Sequence, residues 1–497
     1  MILKIDGDIN RYYVQMLCMI FFPGSTFGEN EESGEDVPEV SVQIYKENPD
    51  TVTAYVAIRL NDRTSEATAT VPLNQNIVIA THSAIATGRA MFAAGKELLG
   101  HTPPWGILTG VRPAKVAGSL LGDGNGILKT KKIMREEYFL NPQKAALAVS
   151  VAINENKILK KNLDGTCSLY ISIPFCPTRC AYCSFVSYTT KRLLALIDDY
   201  IDALLLELDE ILTTAREANL KILTVYIGGG TPTTLSTVQL ERIFKKLEEY
   251  INTTELLEFT LEAGRPDTIT KEKLLLAKEH GVTRVSVNPQ TLCDDVLRDI
   301  GRRHTVEDFY TAYNIAKESG IRDINVDLIA GLPNDDFKNF SETVDKIIEL
   351  APSNITVHTF CVKKAADVLR KNSKVYSINA QDAAKSVAYA QLKTKCAGYK
   401  PYYMYRQKNT VNNLENVGFA LDGREGLYNV FMMEEAQTVL GVGAGAVTKL
   451  VGGEKIQRIF NPKYPYEYLR QFDGNNSDVS DAKKTSGKIL DFYKKDI

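Results

Sequence analysis

Neither sign of charge is in excess. Lys and Arg number 59 against 61 Asp and Glu, a net of −2, so no basic field argues for nucleic acid as a partner. No uninterrupted apolar run is long enough to span a bilayer, so no membrane-spanning helix is expected. The opening residues MILKIDGDINRYYVQMLCMIFF lack the basic leader and small-residue cleavage site of a secretory signal, and a cytoplasmic location is expected. Low-complexity sequence is confined to the acidic loop GENEESGEDVPE, and tryptophan occurs once, at Trp105. What remains is ordinary for a globular protein: 44% hydrophobic and 24% charged residues, in a 497-residue chain with room for two or three domains.

Cysteine is present 8 times, and its placement is uneven. Cys18, Cys167, Cys293, Cys361 and Cys396 are scattered and read as small buried hydrophobes in a reducing compartment. Cys176, Cys180 and Cys183 crowd into IPFCPTRCAYCSF, Ile173 to Phe185. An odd number at short spacing fits disulfides poorly. Thiolates favour zinc or iron–sulfur clusters. A structural zinc site wants four closed ligands, and here Ser184 and Phe185 follow Cys183 with no fourth Cys or His nearby. Three ligands on a four-iron cube would leave one iron open.

Three segments are expected: 1–160, a mixed accessory region; 161–375, a regular β/α region; and 376–497, a C-terminal region. In the first, SVQIYKENPDTVTAYVAIRL suggests a hairpin about Asn48-Pro49-Asp50, and helical patterns cover Ile85–Leu99 and Pro142–Asn156. PPWGILTGVRPAKV reads as a buried packing motif, with a substrate or domain contact through Arg112 as the alternative. In the second segment, apolar β-branched strands (SLYISIP, ILTVYIGGG, LEFTLEAG, TRVSVNPQ, DINVDLIAGLP, NITVHTF) alternate with helices over Arg192–Glu217, Val238–Tyr250, Lys271–His280, Val306–Ser319 and Phe337–Leu350. This is the pattern of a parallel sheet covered by helices. Six such strands without an evident seventh and eighth predict an α/β fold, a partial (β/α)6 barrel. The C-terminal region is read as small α+β, with a helix over Ala380–Gly398, the aromatic stretch YKPYYMYRQ and the glycine-rich GVGAGAV. Polar residues and glycines gather at the strand ends, where barrel sites form.

C-x3-C-x2-C after a first strand resembles the radical S-adenosylmethionine (SAM) superfamily. YISIPFC, GGGTPT, VNPQT, GRRH, NVDLIAGLP and VHTF follow the order of the oxygen-independent coproporphyrinogen III oxidase family. WGILTGVRP, LEAGRPDT, NNLENVGFA and MEEAQTVLGVGAGAVTKLV make the chain most similar to the HemZ-type branch of that family. The resemblance implies a [4Fe–4S] cluster on Cys176, Cys180 and Cys183, with SAM chelating the open iron and cleaved to a 5′-deoxyadenosyl radical. It implies that Gly229, Gly230 and Thr231 bind the amino end of SAM, that Glu262 contacts it too, and that Gln290, Arg302 and Asp327 hold SAM, including a second molecule. Tyr170 and Tyr182 could pack on adenine or in the core. Arg302 could equally be a solvated surface residue, and His358 a core histidine or a substrate contact. Asp327, inside an apolar strand, requires a polar partner.

The implied activity is oxidative decarboxylation of coproporphyrinogen III in heme biosynthesis, with an electron donor such as flavodoxin or ferredoxin. Arg265, Arg303 and Lys363 or Lys364 are candidate partners for substrate carboxylates. Two departures bear on this. Phe185 stands where the best-established decarboxylases carry a fourth cysteine. The stretch RQKNTVNNLENVGFA lacks the His and Trp of a related heme-trafficking group. Rival readings are another radical reaction on a tetrapyrrole, such as heme methylation or ring opening, and a non-catalytic heme chaperone.

Overall fold

The computed structural model describes all residues except 23–24, 28–36, 76, 78–80, 111, 162, 184, 186, 362–379, 408–409, 411–412, 454, 473–480 and 495–497. Most of the acidic loop, together with Lys363 and Lys364, lies outside the described residues. The chain forms two compact units, Met1–Asn154 with Met404–Glu415, and Glu155–Tyr403 with Asn416–Ile497. The sequence pattern suggested three segments instead.

The first unit begins with β1 (Ile2–Asp6), α1 (Arg11–Phe21), β2 (Glu39–Tyr45), β3 (Thr51–Leu60) and β4 (Arg63–Pro72). They form a sheet ordered β1-β2-β3-β4. The hairpin at Asn48 forms because its Oδ1 accepts from the Asp50 amide and the Thr51 hydroxyl, each at 3.0 Å. Helices α2 (His82–Leu99), α3 (Pro113–Gly122), α4 (Ile127–Glu136) and α5 (Pro142–Leu159) follow. Thr81 caps α2 by accepting from the Ala84 amide, and Gly100 ends it in the left-handed region at φ 73°. Trp105 is buried as expected: its indole N–H donates to Glu415 at 2.9 Å, and Lys144 pairs with the same carboxylate. A buried acid with two donors avoids the cost of an unpaired charge.

The second unit is the barrel. Its strands are β5 (Thr166–Ile173), β6 (Lys221–Gly229), β7 (Glu258–Glu262), β8 (Arg284–Ser286), β9 (Asp323–Ala330) and β10 (Asn354–Thr359), each parallel to the next. Between them run α6 (Lys191–Leu194), α7 (Ile197–Glu217), α8 (Thr237–Glu248), α9 (Lys271–Glu279), α10 (Asp294–Asp299), α11 (Val306–Glu318) and α12 (Phe337–Leu350). The single helix expected over Arg192–Glu217 is therefore broken, with Leu196 leaving helical geometry at ψ 2° before α7 starts. Reciprocal capping boxes at Ser236/Gln239 and Thr305/Asp308 set where α8 and α11 begin.

After α13 (Ala380–Cys396) come β11 (Lys400–Arg406), β12 (Glu415–Ala420), α14 (Leu427–Met433), β13 (Thr438–Val442), β14 (Val447–Gly452), β15 (Lys455–Phe460), α15 (Pro465–Arg470) and α16 (Asp481–Lys494). These strands extend the barrel sheet, ordered β11-β12-β10-β9-β8-β7-β6-β5-β13-β14-β15. The stretch TVLGV, unassigned from sequence, is a seventh parallel strand, because β13 pairs with β5 from Thr438↔Cys167 to Val442↔Ile171. Gly441 is required there, since a Cβ would come within 2.7 Å of the Val447 backbone. Two of the scattered cysteines depart from the buried reading: Cys293 is half-buried and Cys396 exposed. Among the described residues no helix is long and apolar enough to cross a membrane.

Every second residue of a strand faces the same side. Glu258, Thr260 and Glu262 of β7, Asp323, Asn325 and Asp327 of β9, and Asn354, Thr356 and His358 of β10 are such sets. At the strand starts, Arg284 closes one end: it donates to Glu258 at 3.1 Å and to Asn325 at 2.8 Å, bonds Asn354, and lies 3.6 Å from Asp323. Glu258 in turn accepts the Leu427 and Tyr428 amides at the start of α14. The opposite ends of the strands are left for chemistry.

Candidate cluster and cofactor site

The cysteines leave the end of β5 on a loop that is pinned at both sides. The Cys176 amide donates to the Tyr188 carbonyl at 3.2 Å, and the Ala181 amide to that of Ile300 at 2.9 Å. Cys176 and Cys180 are buried and Cys183 partly so; none of the three is in a disulfide. Thr231 donates its hydroxyl proton to Cys176 Sγ at 3.4 Å, and Arg265 Nη1 donates to Cys180 Sγ at 3.6 Å. Burial pushes the Cys176 thiol up to about 11, against the pull of the Thr231 bond, so ligation there needs a cation to displace the proton. Among the described residues no group of three His, Cys, Asp or Glu side chains is gathered to hold one metal ion.

Glycines Gly228–Gly230 close β6 against that loop. The Gly230 amide donates to the Ile173 carbonyl at 2.8 Å and Thr231 to that of Phe175 at 2.7 Å. A Cβ on Gly230 would stand 2.7 Å from the Phe175 carbonyl oxygen, and Gly229 sits at φ 106°. Glu262, at the end of β7, accepts from the Tyr226 hydroxyl and the Gly229 amide. Its carboxyl is pushed up to about 7, first by burial and then by the neighbouring Asp327 charge, against the lowering by the Tyr226 bond.

Asp327 has the partners its position demands. Asn288 Nδ2 donates to it at 2.9 Å, and His358 Nε2 lies 3.7 Å away. The paired, half-exposed His358 is thus neither a fully buried core residue nor isolated. Arg302 is no surface residue: it is 7% exposed and donates to the Tyr182 hydroxyl at 3.2 Å and to the carbonyls of Gly264 and Asn288 at 3.1 and 2.6 Å. Gln290 is buried at φ 71°, and its Oε1 has no partner among the described residues. Tyr170 stacks with Tyr226 and Tyr428 at centroid distances of 6.1 and 6.3 Å.

Three residues escaped the sequence reading. Tyr226 and Asn288 contact expected site residues, and Tyr428 arrives from α14 to stack at 4.5 Å on Tyr226. Tyr226 and Asn288 were findable from strand alternation, two residues before Gly228 and two before Gln290; Tyr428 was not. Of the expected carboxylate partners, Arg303 is exposed, while Arg265 is buried and engaged by the cysteine loop and Asp267.

Three cysteines follow the first strand of this parallel barrel, and residues 170–347 match the model of the radical SAM superfamily. The chain is 36% identical over 379 residues to the oxygen-independent coproporphyrinogen-III oxidase-like protein HemZ of Bacillus subtilis, covering 75% of this chain and 76% of HemZ. It is 32% identical over 282 residues to the heme chaperone HemW of the same organism, covering 56% of this chain and 70% of HemW. Coproporphyrinogen III oxidase HemN of Escherichia coli, described as a radical SAM enzyme, shares the fold at a TM-score of 0.51 and 24% identity, over 64% of this chain and 72% of HemN. The chain belongs to the radical SAM family of oxygen-independent coproporphyrinogen-III oxidase-like proteins that includes HemZ and HemW. Membership implies a [4Fe–4S] cluster and SAM. The residues fit both: three cysteines outside any disulfide on a pinned loop, side-chain-free backbone beside it, and a buried amide oxygen without a donor among the described residues.

Proposed function

We propose that the protein carries out oxygen-independent oxidative decarboxylation of coproporphyrinogen III to protoporphyrinogen IX. The observation that carries the reading is the match to HemZ, which runs through 75% of the chain and so well beyond the barrel. Cys176, Cys180 and Cys183 would hold the cluster, which with SAM would supply a carbon radical able to take a hydrogen atom from a propionate side chain. Loss of CO2 and of one electron to an acceptor then leaves a vinyl group, twice per substrate.

The chain's residues bind and orient. Glu262, with Gly229 and Gly230, receives the amino end of SAM. Asp327 and Arg302 hold the rest, and the unsatisfied Gln290 oxygen favours a contact to SAM, including a second molecule. His358, beside Asp327 and partly exposed, is the candidate substrate contact. Between the two described arginines named for the propionates, Arg265 is buried and engaged by Asp267, which favours the exposed Arg303. A small electron carrier such as flavodoxin or ferredoxin reduces the cluster.

Mass spectrometry of coproporphyrinogen III after anaerobic incubation with SAM and reductant tests the reading. Loss of two carboxyl groups through a monovinyl tricarboxylic intermediate, one SAM per step, is expected, and Asp327→Ala and Arg302→Ala should suppress it. Methylated or ring-opened heme beside unchanged coproporphyrinogen would overturn it. The likeness to HemW favours a second reading, a heme chaperone. Tight heme retention without any tetrapyrrole product would establish that one instead.

A further inference from the structure

We infer that Arg265 is a positioning residue that clasps the second cysteine of the cluster loop and raises the reduction potential of the cluster held there. This rests on the cluster being bound, and not on the identity of the substrate.

Arg265 is 3% exposed, and its donors are divided among three residues. On one side Nε and Nη2 reach the two oxygens of Asp267 at 3.1 and 3.2 Å. On the other, Nη2 donates to the Thr178 hydroxyl at 2.9 Å, and Nη1 to the Thr178 carbonyl at 3.4 Å and to Cys180 Sγ at 3.6 Å. Its backbone is fixed as well, because the Arg265 carbonyl accepts from both the amide and the hydroxyl of Thr268, at 3.0 and 2.8 Å. Such a group has little freedom to turn toward a substrate carboxylate. It is built into the cysteine loop.

Ligation turns Cys180 into a thiolate, and reduction adds one more electron to the cluster behind it. A buried cation beside that sulfur stabilises the reduced form more than the oxidised one, because net charge and hydrogen bonds to sulfur set the potential of such clusters. Asp267 offsets part of the charge but binds the face of the guanidinium turned away from the sulfur, so the positive end points at the ligand. His304, 2% exposed nearby, has no hydrogen-bond partner on either ring nitrogen among the described residues and is held neutral, so it adds no compensating charge.

The test uses the full chain, reconstituted anaerobically with iron and sulfide, with no tetrapyrrole present. Iron is counted, and the cluster is titrated with dithionite, one electron passing from dithionite to the oxidised cluster, while electron paramagnetic resonance follows the reduced form. Arg265→Gln should load iron and shift the midpoint negative by at least a tenfold change in the reduction equilibrium, about 59 mV for one electron. Arg265→Lys, which keeps the charge, should recover most of the shift. Asp267→Asn, which frees the guanidinium charge, should move the midpoint positive. A wild-type midpoint in fully loaded Arg265→Gln would overturn the role. If Arg265→Gln does not load, an unchanged or more negative midpoint in Asp267→Asn overturns it. A wild-type protein that takes up no iron would overturn the cluster and this role together.

Discussion

Tyr226 donates its phenolic proton to Oε1 of Glu262 across the β6–β7 pair. That bond satisfies one oxygen of a carboxyl that burial has made reluctant to ionise. The other oxygen lies where a Cβ on Gly228 would come within 2.8 Å, so only glycine leaves it room.

A pH dependence follows. The Glu262 carboxyl sits at about 7, above its usual value, so it is largely protonated at pH 6 and ionised at pH 8. The proposed N–H donors at the amino end of SAM favour the ionised carboxylate as acceptor. Binding should therefore release a proton below that value, and affinity should rise by about tenfold per pH unit until it levels above 7. Calorimetry from pH 5.5 to 8.5 reads this directly. Glu262→Gln should flatten the curve, and a flat curve with Glu262 intact would remove the proposed contact.

Replacing Cys176, Cys180 or Cys183 by Ala should abolish or destabilise the iron–sulfur chromophore after anaerobic reconstitution. Cys396→Ala, at an exposed helix end, should leave iron and sulfide content unchanged. Iron retained by the three variants, or tight zinc in the wild type, would count against the cluster.

Gly230→Ala should cost about 1–3 kcal/mol of stability and weaken SAM binding, because its nearest obstacles are backbone atoms of Ile173, Pro174 and Phe175 that cannot yield cheaply. Gly126→Ala, with no atom within 4 Å of the added carbon, is the control. Equal melting temperatures and SAM affinities in the two variants would mean that the strand end tolerates the bulk.

Arg284→Met should destabilise the barrel by about 3–5 kcal/mol, since Glu258 would be left buried without its cation, while Asp323 keeps Arg322 and Arg424. Urea denaturation measures it. A loss under about 1 kcal/mol, the range of exposed pairs, would show that water replaces the arginine.

The β/α alternation and the barrel were legible because parallel strands, buried on both faces, read as short apolar runs between helical patterns. The three cysteines were legible because local spacing alone brings them onto one loop. The polar lining was half-legible. In EFTLE, DINVD and NITVH every second residue is polar, and that period already marks the lumen face.

What sequence by itself determined is whatever depends on neighbours along the chain: the strand period, the caps at Ser236 and Thr305, and the thiol spacing. The tertiary structure decided the rest, because it depends on which distant segments meet. From sequence, Arg265 was a candidate partner for substrate carboxylates, and Arg302 a SAM contact or a solvated surface residue. Folding buried both, giving one the sulfur of Cys180 and the other the Tyr182 hydroxyl and two backbone carbonyls. The strand TVLGV carries no β/α signature, yet its free edge pairs with β5 from 271 residues away at Thr438. Tyr428 enters the tyrosine stack only because Glu258 holds the start of its helix. Burial and pairing are properties of the assembled fold, and a local pattern cannot report them.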